Sequence, residues 1–453
     1  MIRKKELPVK IIARVGAALQ RLLGPIAEQA AESSGVIVRQ RKFTASSLAR
    51  TFILGYLQDP QASAENLAQM AVQCGAEVTP QAIDQRHTPK VMKFLQELFC
   101  RATKEVVGSD ASLAPILERF TSVDILDSST IILPGSMQPE YPGCGGGRGG
   151  GEAAMKLQVE WDLRSGALKH VEIEPGRSPD SATCRQQARR GKGSLRIADL
   201  GYFNLAVFAE MTKEGEYFLS RLQPGTSVLS PDGESLVLLD WLSRQAARQP
   251  GRFIDCSVLL GKEQRLACRL IAWRLPKEQA DRRRQKLRRE HLSKYGKEPS
   301  AERLAWCDWT MLVTNVPTAM MTPAEAVVLY RARWQVELLF KRWKSQDLVA
   351  ALQGSTDIRQ MVRVWARLLA ALVQHWLLIA SAWDPTKSLS KVCEAIRSFM
   401  GRLAAALHCL CGLHEVLADL SRVVAKACQR NKRTRAGTFE LLNDVSRLDF
   451  CLT

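Results

Sequence analysis

The spacing of apolar residues changes twice along the chain and divides it into three parts. Up to about residue 118, apolar positions recur every three to four residues, which predicts helices. From about residue 122 to 318, short runs rich in β-branched residues predict strands with helices between them. From Thr322 to the end the helical spacing returns. We therefore predict a mixed α/β protein with helical regions at both ends of the chain.

Short apolar runs mark the strands of the central part. VDILDSSTIILP and SLRIADLG each predict a buried strand, and FNLAVFAEMTKEG predicts a helix. MKLQVEWDL and KHVEIEP, joined by a turn at Ser165 and Gly166, predict a hairpin. Further runs between residues 217 and 318 predict a strand-rich region, and SLVLL at 235–239 is one of them. A basic helical stretch, RRRQKLRRE at 282–290, interrupts that region.

A helix, a turn and a second helix are predicted within the N-terminal region. SAENLAQMAVQCG predicts the first helix, and Gly75 lies in the turn. AEVTPQAIDQRHTPKVMKFLQELF predicts one second helix, with Thr79 as its N-cap and Pro80 at its first position. A DNA-reading helix-turn-helix and an ordinary helical hairpin both fit this pattern.

The charge of the chain indicates its class of partner. The 453 residues include 64 Lys and Arg against 46 Asp and Glu, a formal net charge of +18. Such an imbalance favours a polyanionic partner, and nucleic acid is the usual one. The basic stretch at 282–290 is then a candidate for phosphate contact, with a solvated helix face as the alternative.

A membrane location is not favoured by the apolar runs. Lys10, Arg14 and Arg21 interrupt the N-terminal one, so no signal peptide is predicted. The run at 368–383 is shorter than the roughly 20 residues that span a bilayer, and Gln374 lies in its middle, so we interpret it as a buried core helix. The twelve cysteines form no CxxC pair and predict reduced thiols in a cytoplasmic protein.

One helix carries several polar side chains that share a face. In TPAEAVVLYRARWQVELLFKRWKSQ, Thr322 is the predicted cap and Pro323 takes the first turn. At about 100° per residue, one narrow face collects a phenol, a guanidinium, a carboxylate and an ammonium, while apolar residues fill the opposite side. These four residues are Tyr330, Arg333, Glu337 and Lys344. A solvated face with an i,i+4 ion pair is the alternative.

Two aspartates occupy predicted buried strands, where an unpaired charge is very costly. Asp127 lies inside VDILDSST, and Asp199 ends SLRIAD. Asp124 competes with Asp127, but residues three apart face opposite sides of a strand, so only one can join a site. Carboxylates are the ligands that Mg²⁺ prefers, so Asp127, Asp199 and Glu337 are candidate metal ligands.

These motifs resemble the bacterial insertion-sequence transposases with a DDE triad, in the insertion-sequence-four family. YRARWQVELLFKRWK matches its Tyr-x2-Arg-x3-Glu-x6-Lys signature in full. DSST is similar to the first-Asp motif and favours Asp127, and IADLGYF is similar to the second and selects Asp199. The resemblance covers about residues 75–350 and implies a ribonuclease-H-like catalytic fold. A β-rich insertion is expected before the Glu, which agrees with the 138 positions between Asp199 and Glu337.

The resemblance also implies a division into domains. A helical DNA-binding domain is expected at residues 1–118, and a ribonuclease-H-like catalytic domain at 119–350 with the β-rich insertion at about 217–318. A helical C-terminal domain follows at 351–453 and matches no known motif.

The family's chemistry implies roles for the candidate residues. Two Mg²⁺ ions, for which Mn²⁺ can substitute, would be held by Asp127 as the bridging ligand, with Asp199 on one ion and Glu337 on the other. Arg333 and Lys344 would grip phosphates near the cut, and Tyr330 would hydrogen-bond one. Trp309 lies 21 positions before Tyr330 and is expected to stack on a flipped base, although Trp306 and Trp309 could both be core residues.

The expected function is a cut-and-paste transposase. The resemblance implies cleavage of double-stranded DNA at transposon ends through a hairpin end, then strand transfer into target DNA. It also implies a homodimer in the synaptic complex, no membrane partner and a cytoplasmic, nucleoid-associated location. Two other classes stay open: a metal-dependent nuclease of the same fold, and a catalytically silent DNA-binding regulator.

Overall fold

A computed structural model describes most of the chain. The described residues are 3–37, 42–110, 112–144, 152–248, 251–343, 357–381, 387–431 and 436–448. They divide into two compact units. Unit 1 comprises Met1–Leu113, Ser128–Ser178 and Val336–Thr434, and unit 2 comprises Ala114–Asp127, Pro179–Gln335 and Arg435–Thr453.

The described elements are helices and strands in a mixed α/β arrangement. The helices are α1 (Arg3–Arg21), α2 (Ala27–Ser34), α3 (Ala45–Gln58), α4 (Ala64–Gln73), α5 (Pro80–Asp84), α6 (Pro89–Ala102), α7 (Pro115–Glu118), α8 (Leu205–Lys213), α9 (Leu238–Arg248), α10 (Lys277–Tyr295), α11 (Ala301–Trp306), α12 (Pro323–Ala332), α13 (Trp334–Trp343), α14 (Asp357–Ala380), α15 (Leu389–Ser398), α16 (Met400–Ala406), α17 (Leu410–Ala427) and α18 (Thr438–Asn443). The strands are β1 (Val123–Ile132), β2 (Ala154–Asp162), β3 (Leu168–Pro175), β4 (Leu195–Ala198), β5 (Tyr217–Arg221), β6 (Val228–Leu229), β7 (Ile254–Leu260), β8 (Leu266–Arg274) and β9 (Trp309–Thr314).

The nine strands form one mixed sheet in the order β3-β2-β1-β4-β5-β9-β8-β7-β6. β1, β4 and β5 pair in parallel, whereas β5 through β9 pair antiparallel. The predicted hairpin is present as β2 and β3, and Gly166 in its turn has a φ of 75°, which favours glycine. The mixed α/β class predicted from the sequence is confirmed.

Helices from both ends of the chain share the core of unit 1. α14 packs against α3 and α6, and α1 packs against α17. The helical regions that the sequence separates as 1–118 and 351–453 therefore contribute to the same compact unit. Their treatment as separate domains stays a prediction.

The apolar run at 368–383 lies mostly in α14, which ends at Ala380. Among the described residues, α14 alone has the length and apolar character to cross a membrane, and 94% of its apolar window is buried in the protein. His375 is 1% exposed, and its Nε2 lies 2.7 Å from the carbonyl oxygen of Gly166 in the hairpin turn. The prediction of a buried core helix is confirmed.

The second helix of the predicted helix-turn-helix is divided. Thr79 and Pro80 begin α5 as expected, but α5 has only five residues. Thr88 is extended, with φ −122° and ψ 159°, and caps a new helix that starts at Pro89. A proline disfavours helical backbone at the residue before it, so the second Thr-Pro pair starts α6. The prediction of one continuous helix here was wrong.

One predicted strand of unit 2 is instead the start of a helix. SLVLL at 235–239 contributes Leu238 and Leu239 to the first turn of α9. Leu238, Leu239 and Leu242 pack at helical spacing against the core of β7, β8 and β9. The apolar run was too short to distinguish the two periodicities.

Candidate active site

Two aspartates follow the last paired positions of adjacent parallel strands in unit 2. The β1–β4 register runs from Val123 opposite Leu195 to Leu126 opposite Ala198. Asp127, in the middle of β1, and Asp199, directly after the end of β4, are the next residues along the two chains, so both lie at the same level of the sheet, where β4 ends. This adjacency is the first structural feature of the candidate site.

Asp124 and Asp127 have different surroundings on β1. Asp124 is 0% exposed, and its Oδ2 accepts a 2.7 Å hydrogen bond from Ser122 Oγ. The Asp127 side chain is 14% exposed and pairs with a side chain of the signature segment. The structure thus places Asp127, the residue favoured by the DSST motif, beside the signature.

Arg196 holds the segment that carries Asp199, a role the sequence analysis missed. Its guanidinium donates to the carbonyl oxygens of Gln186 and Tyr202, each at 3.3 Å, and also to Gln186 Oε1. Tyr202 ends the 3₁₀ turn that begins directly after Asp199, so these bonds fix the backbone there. The sequence did contain a signal for this role, since Arg196 is the one charged residue in the apolar strand LRIA. A buried cation requires several hydrogen-bond acceptors around it.

Arg333 of the signature binds Asp127. Arg333 Nη1 donates to Asp127 Oδ2 at 2.9 Å, and the two side chains are only 15% and 14% exposed. Ion pairs with so little solvent contact are screened much less than surface pairs. Asp127 is a partner of Arg333 that the spacing of the signature could not indicate, because the two residues lie 206 positions apart.

Tyr330 lies within the electrostatic reach of both the second aspartate and Arg333. Burial and the charge of Asp199 raise the pKa of Tyr330 to about 12, while Arg333 and Arg221 act in the opposite direction. The phenol therefore keeps its proton at neutral pH and can donate a hydrogen bond. Asp127, Asp199, Tyr330 and Arg333 are thus brought together in unit 2.

The signature helix is interrupted at Arg333. The N–H of Arg333 bonds to the carbonyl of Tyr330 at 3.2 Å, a 3₁₀ pattern that tightens the chain between α12 and α13. Arg333 nevertheless keeps right-handed helical dihedrals, with φ −50° and ψ −37°, so α12 and α13 are separated by one tightened residue, and a face shared by Tyr330 and Glu337 stays a prediction. Glu337 lies half-buried in the first turn of α13, in unit 1, and Lys344 lies outside the described residues.

The start of α12 is fixed by a cap and an ion pair. Thr322 and Glu325 form a capping box, which confirms the predicted Thr322 cap. Arg119 Nη2 lies 2.8 Å from Glu325 Oε1, and Arg119 Nη1 donates to the carbonyl of Met320. Burial opposes ionisation of Glu325, but bonds from Arg119 and Thr322 keep its pKa below the usual value. This anchor ties α12 to the segment that leads into β1.

A cavity of about 220 Å³ opens beside Tyr330 in unit 2. It is lined by three arginines, two aromatic residues and three others: Arg221, Arg283, Arg331, Trp273, Tyr330, Thr310, Leu312 and Val327. Trp273 is 6% exposed, and its Nε1 has no hydrogen-bond partner among the described residues. Buried donors without a partner are rare. The cavity therefore combines positive charge, aromatic surface and an available donor.

Trp309 lies on β9 and faces away from this cavity. It is 5% exposed and belongs to a core cluster with Met311 and Val313, whereas Thr310 and Leu312 line the cavity. Alternate residues of a strand face opposite sides, so Trp309 faces the core. This placement favours the core alternative, and its stacking role stays a prediction. Trp273 could not be identified from the sequence. Which face of β8 lines the cavity depends on how the strands pack in the folded protein.

Comparison with known proteins identifies the class to which this site belongs. The family described as "Transposase DDE domain" matches residues 118–373, a stretch that contains Asp127, Asp199 and Glu337. The match covers more than half of the chain. The chain therefore belongs to the DDE transposase family.

Individual relatives narrow the class to bacterial insertion sequences. The chain is 28% identical to the transposase for insertion sequence element IS231B of Bacillus thuringiensis subsp. berliner, over 76% of this chain and 75% of the relative. It is also 28% identical to the IS231F transposase of Bacillus thuringiensis subsp. israelensis, over 72% of each chain. The IS1151 transposase of Clostridium perfringens is 25% identical over 66% of each chain. This protein is thus a bacterial insertion-sequence DDE transposase.

Proposed function

We propose that this transposase cleaves double-stranded DNA at the ends of its element and joins the freed 3′ ends to target DNA. The observation that carries the proposal is the point where the pairing of β1 with β4 ends. There Asp127 and Asp199 follow the last paired residues, and Arg333 binds Asp127. We further propose that these residues belong to a ribonuclease-H-like catalytic domain within residues 119–350, with the β-rich insertion at about 217–318.

The donor chemistry of the site fits divalent metal ions. Carboxylate oxygens suit Mg²⁺ and Mn²⁺, and the family generally uses divalent metal. Asp127, Asp199 and Glu337 would hold two such ions. The chemistry such ions supply in phosphodiester cleavage is charge stabilisation at the attacking and leaving oxygens.

The side chains around the aspartates would bind and orient the DNA strand. Arg333 fixes the orientation of Asp127 through their ion pair. Tyr330 keeps its proton and can donate to a phosphate oxygen. Lys344 would contact a further phosphate. Stacking of Trp309 on a flipped base stays a prediction, and it would require the side chain to leave the core cluster described above.

The reaction order follows from the resemblance to the hairpin-forming branch. Water attacks first and frees a 3′-hydroxyl, which then attacks the opposite strand and closes a hairpin end. The hairpin is reopened before the 3′-hydroxyl attacks target DNA. Two ends must be held at once, so we propose a homodimer on DNA, acting in the cytoplasm at the nucleoid.

A joining assay tests the proposal against the two alternatives. Full-length protein is incubated with Mg²⁺, labelled duplexes that carry the ends of the element, and supercoiled plasmid. A transposase yields hairpin ends and labelled plasmid. Cleavage without plasmid labelling would identify a nuclease, and binding without cleavage would identify a silent regulator.

A further inference from the structure

Helix α10, in unit 2, contains more Lys and Arg residues than any other described helix or strand. Its 19 residues include eight Lys or Arg and three Asp or Glu, a net charge of +5. Ala280 is its one buried residue and most of the others are exposed, so the helix is attached to the protein mainly through its N-terminal half. Such an element cannot be explained by core packing.

The three consecutive arginines of α10, residues 282–284, have different contacts. Arg283 Nη1 donates to Thr310 Oγ1 at 3.0 Å and to the carbonyl of Trp309, so it anchors the helix on β9. Arg284 pairs with Asp281 and Asp308. Arg282, by contrast, is exposed and has no ion pair among the described residues. The anchors account for Arg283 and Arg284 and leave Arg282 without a structural role.

Arg282 begins a stripe of exposed cations. At about 100° per residue, Lys286 and Arg289 fall within about 60° of each other and on either side of Arg282. Both are exposed, and no ion pair of Arg289 occurs among the described residues. Lys286 Nζ lies 3.7 Å from Glu290, a solvent-exposed pair of the kind that contributes little. The stripe is about 10 Å long.

We propose that this stripe (Arg282, Lys286 and Arg289) binds the phosphate backbone of duplex DNA, a role that rests on the proposed function. One strand of duplex DNA carries a phosphate about every 3.4 Å along the axis, so a stripe of about 10 Å spans roughly three phosphates. Arg283 lines the cavity beside Tyr330, so the N-terminal turns of α10 are tied to the wall of the candidate site. The stripe thus extends the phosphate-binding surface away from the scissile bond.

Duplex DNA fits this surface better than an anionic membrane does. Helices that lie in a membrane interface carry a continuous apolar face beside their cations. The exposed apolar residues of α10 are Leu292 and Tyr295, near its C-terminal end and outside the stripe. The face that carries Arg282, Lys286 and Arg289 contains no apolar residue with which to enter a bilayer.

The salt dependence of binding tests the stripe directly. Full-length protein in EDTA, which prevents cutting, is titrated into a fluorescein-labelled 30-base-pair duplex at several KCl concentrations. Each phosphate contact contributes about 0.9 to the slope of log K against log salt. We expect Arg282→Gln/Lys286→Gln/Arg289→Gln to reduce the magnitude of that slope by about 2 to 3.

A charge-matched control comes from the same unit. Arg244, Arg248 and Lys262 are also exposed, so their combined Gln variant removes the same charge from another surface. We expect this control to change the slope by less than about 0.5. Circular dichroism and the unfolding midpoint should match the wild type for both variants, because exposed substitutions seldom alter stability.

The possible outcomes test DNA binding by the stripe separately from the proposed transposase function. An equal loss of slope in both variants, or no change in the stripe variant, would overturn the stripe while DNA binding by the wild type still supports the transposase. Loss of binding to phosphatidylglycerol vesicles with unchanged DNA binding would also overturn it in favour of a membrane role. Failure of the wild type to bind the duplex would count against the proposed function itself.

Discussion

Arg333 Nη1 lies 2.9 Å from Asp127 Oδ2, although 206 positions separate the two residues in the chain. One belongs to the first strand of the parallel part of the sheet, and the other lies between the two signature helices. Both side chains are largely shielded from water. A hydrogen bond to a charged group in such surroundings contributes about 1.5–3 kcal/mol, so this pair should matter for the geometry of the site.

Replacement of Arg333 should slow cleavage by disturbing Asp127. We expect Arg333→Gln to lower the single-turnover cleavage rate by about 10- to 100-fold, which corresponds to a loss of about 1.5–3 kcal/mol. Arg333→Lys should retain part of the rate, since it keeps the charge but loses the planar fork. Arg244→Gln, on the exposed face of α9, is the control. Equal rates for Arg333→Gln and the control would show that the pair is not needed.

Removal of any of the three proposed ligands should abolish cutting. We expect Asp127→Asn, Asp199→Asn and Glu337→Gln each to reduce cleavage by about 1000-fold or more while end binding is retained. The measurement is cleavage of labelled end DNA with Mg²⁺, and binding is measured separately in EDTA. Asp124→Asn is the matched control, because Asp124 is buried and bonded to Ser122. A ligand variant that cuts at near wild-type rate would exclude that residue from the site.

Trp309 is either a core residue or a base-stacking residue, and the variant Trp309→Ala distinguishes the two roles. Its core position predicts that Trp309→Ala lowers the free energy of unfolding by about 3–5 kcal/mol, as for other buried aromatic residues. The stacking role predicts instead a stable protein that loses hairpin formation and brightens 2-aminopurine at the flipped position. We expect the loss of stability, measured by denaturant unfolding. Trp306→Ala, at a half-buried position, is the comparison.

The Glu325 anchor should make stability depend on acid pH. Because bonds from Arg119 and Thr322 lower the folded-state pKa of Glu325, its contribution is fully present above the unfolded pKa of about 4.3. The contribution is lost as pH falls through the lower folded value. We therefore expect wild type to exceed Glu325→Gln in unfolding free energy at pH 7, and the difference to shrink below about pH 4.

The control for this pH dependence is another first-turn glutamate. Glu302 is exposed in the first turn of α11, so Glu302→Gln removes a similar charge without the Arg119 pair. Denaturant unfolding at pH 7 and pH 3.5 compares the three proteins. A difference between wild type and Glu325→Gln that stays constant with pH would contradict the assigned cause.

Local signals in the sequence determined the class of fold and most of the elements. β-branched runs predicted β1 and β4, and the Thr-Pro pair at residues 322–323 predicted the start of α12, because these features act through neighbouring residues. The spacing of the signature and the two Asp motifs identified the family that the comparison then showed. Each of these signals depends only on residues within a few helical turns or one strand of the same segment.

Only the tertiary structure decided features that depend on distant contacts. It joined Arg333 to Asp127, placed Trp309 on the core face and Trp273 on the cavity, and tightened the backbone at Arg333. It also separated the anchoring Arg283 from the exposed Arg282, although the two are adjacent and chemically identical. The physical reason is that burial and pairing are set by whichever elements pack against a residue, and the sequence near that residue does not specify those elements.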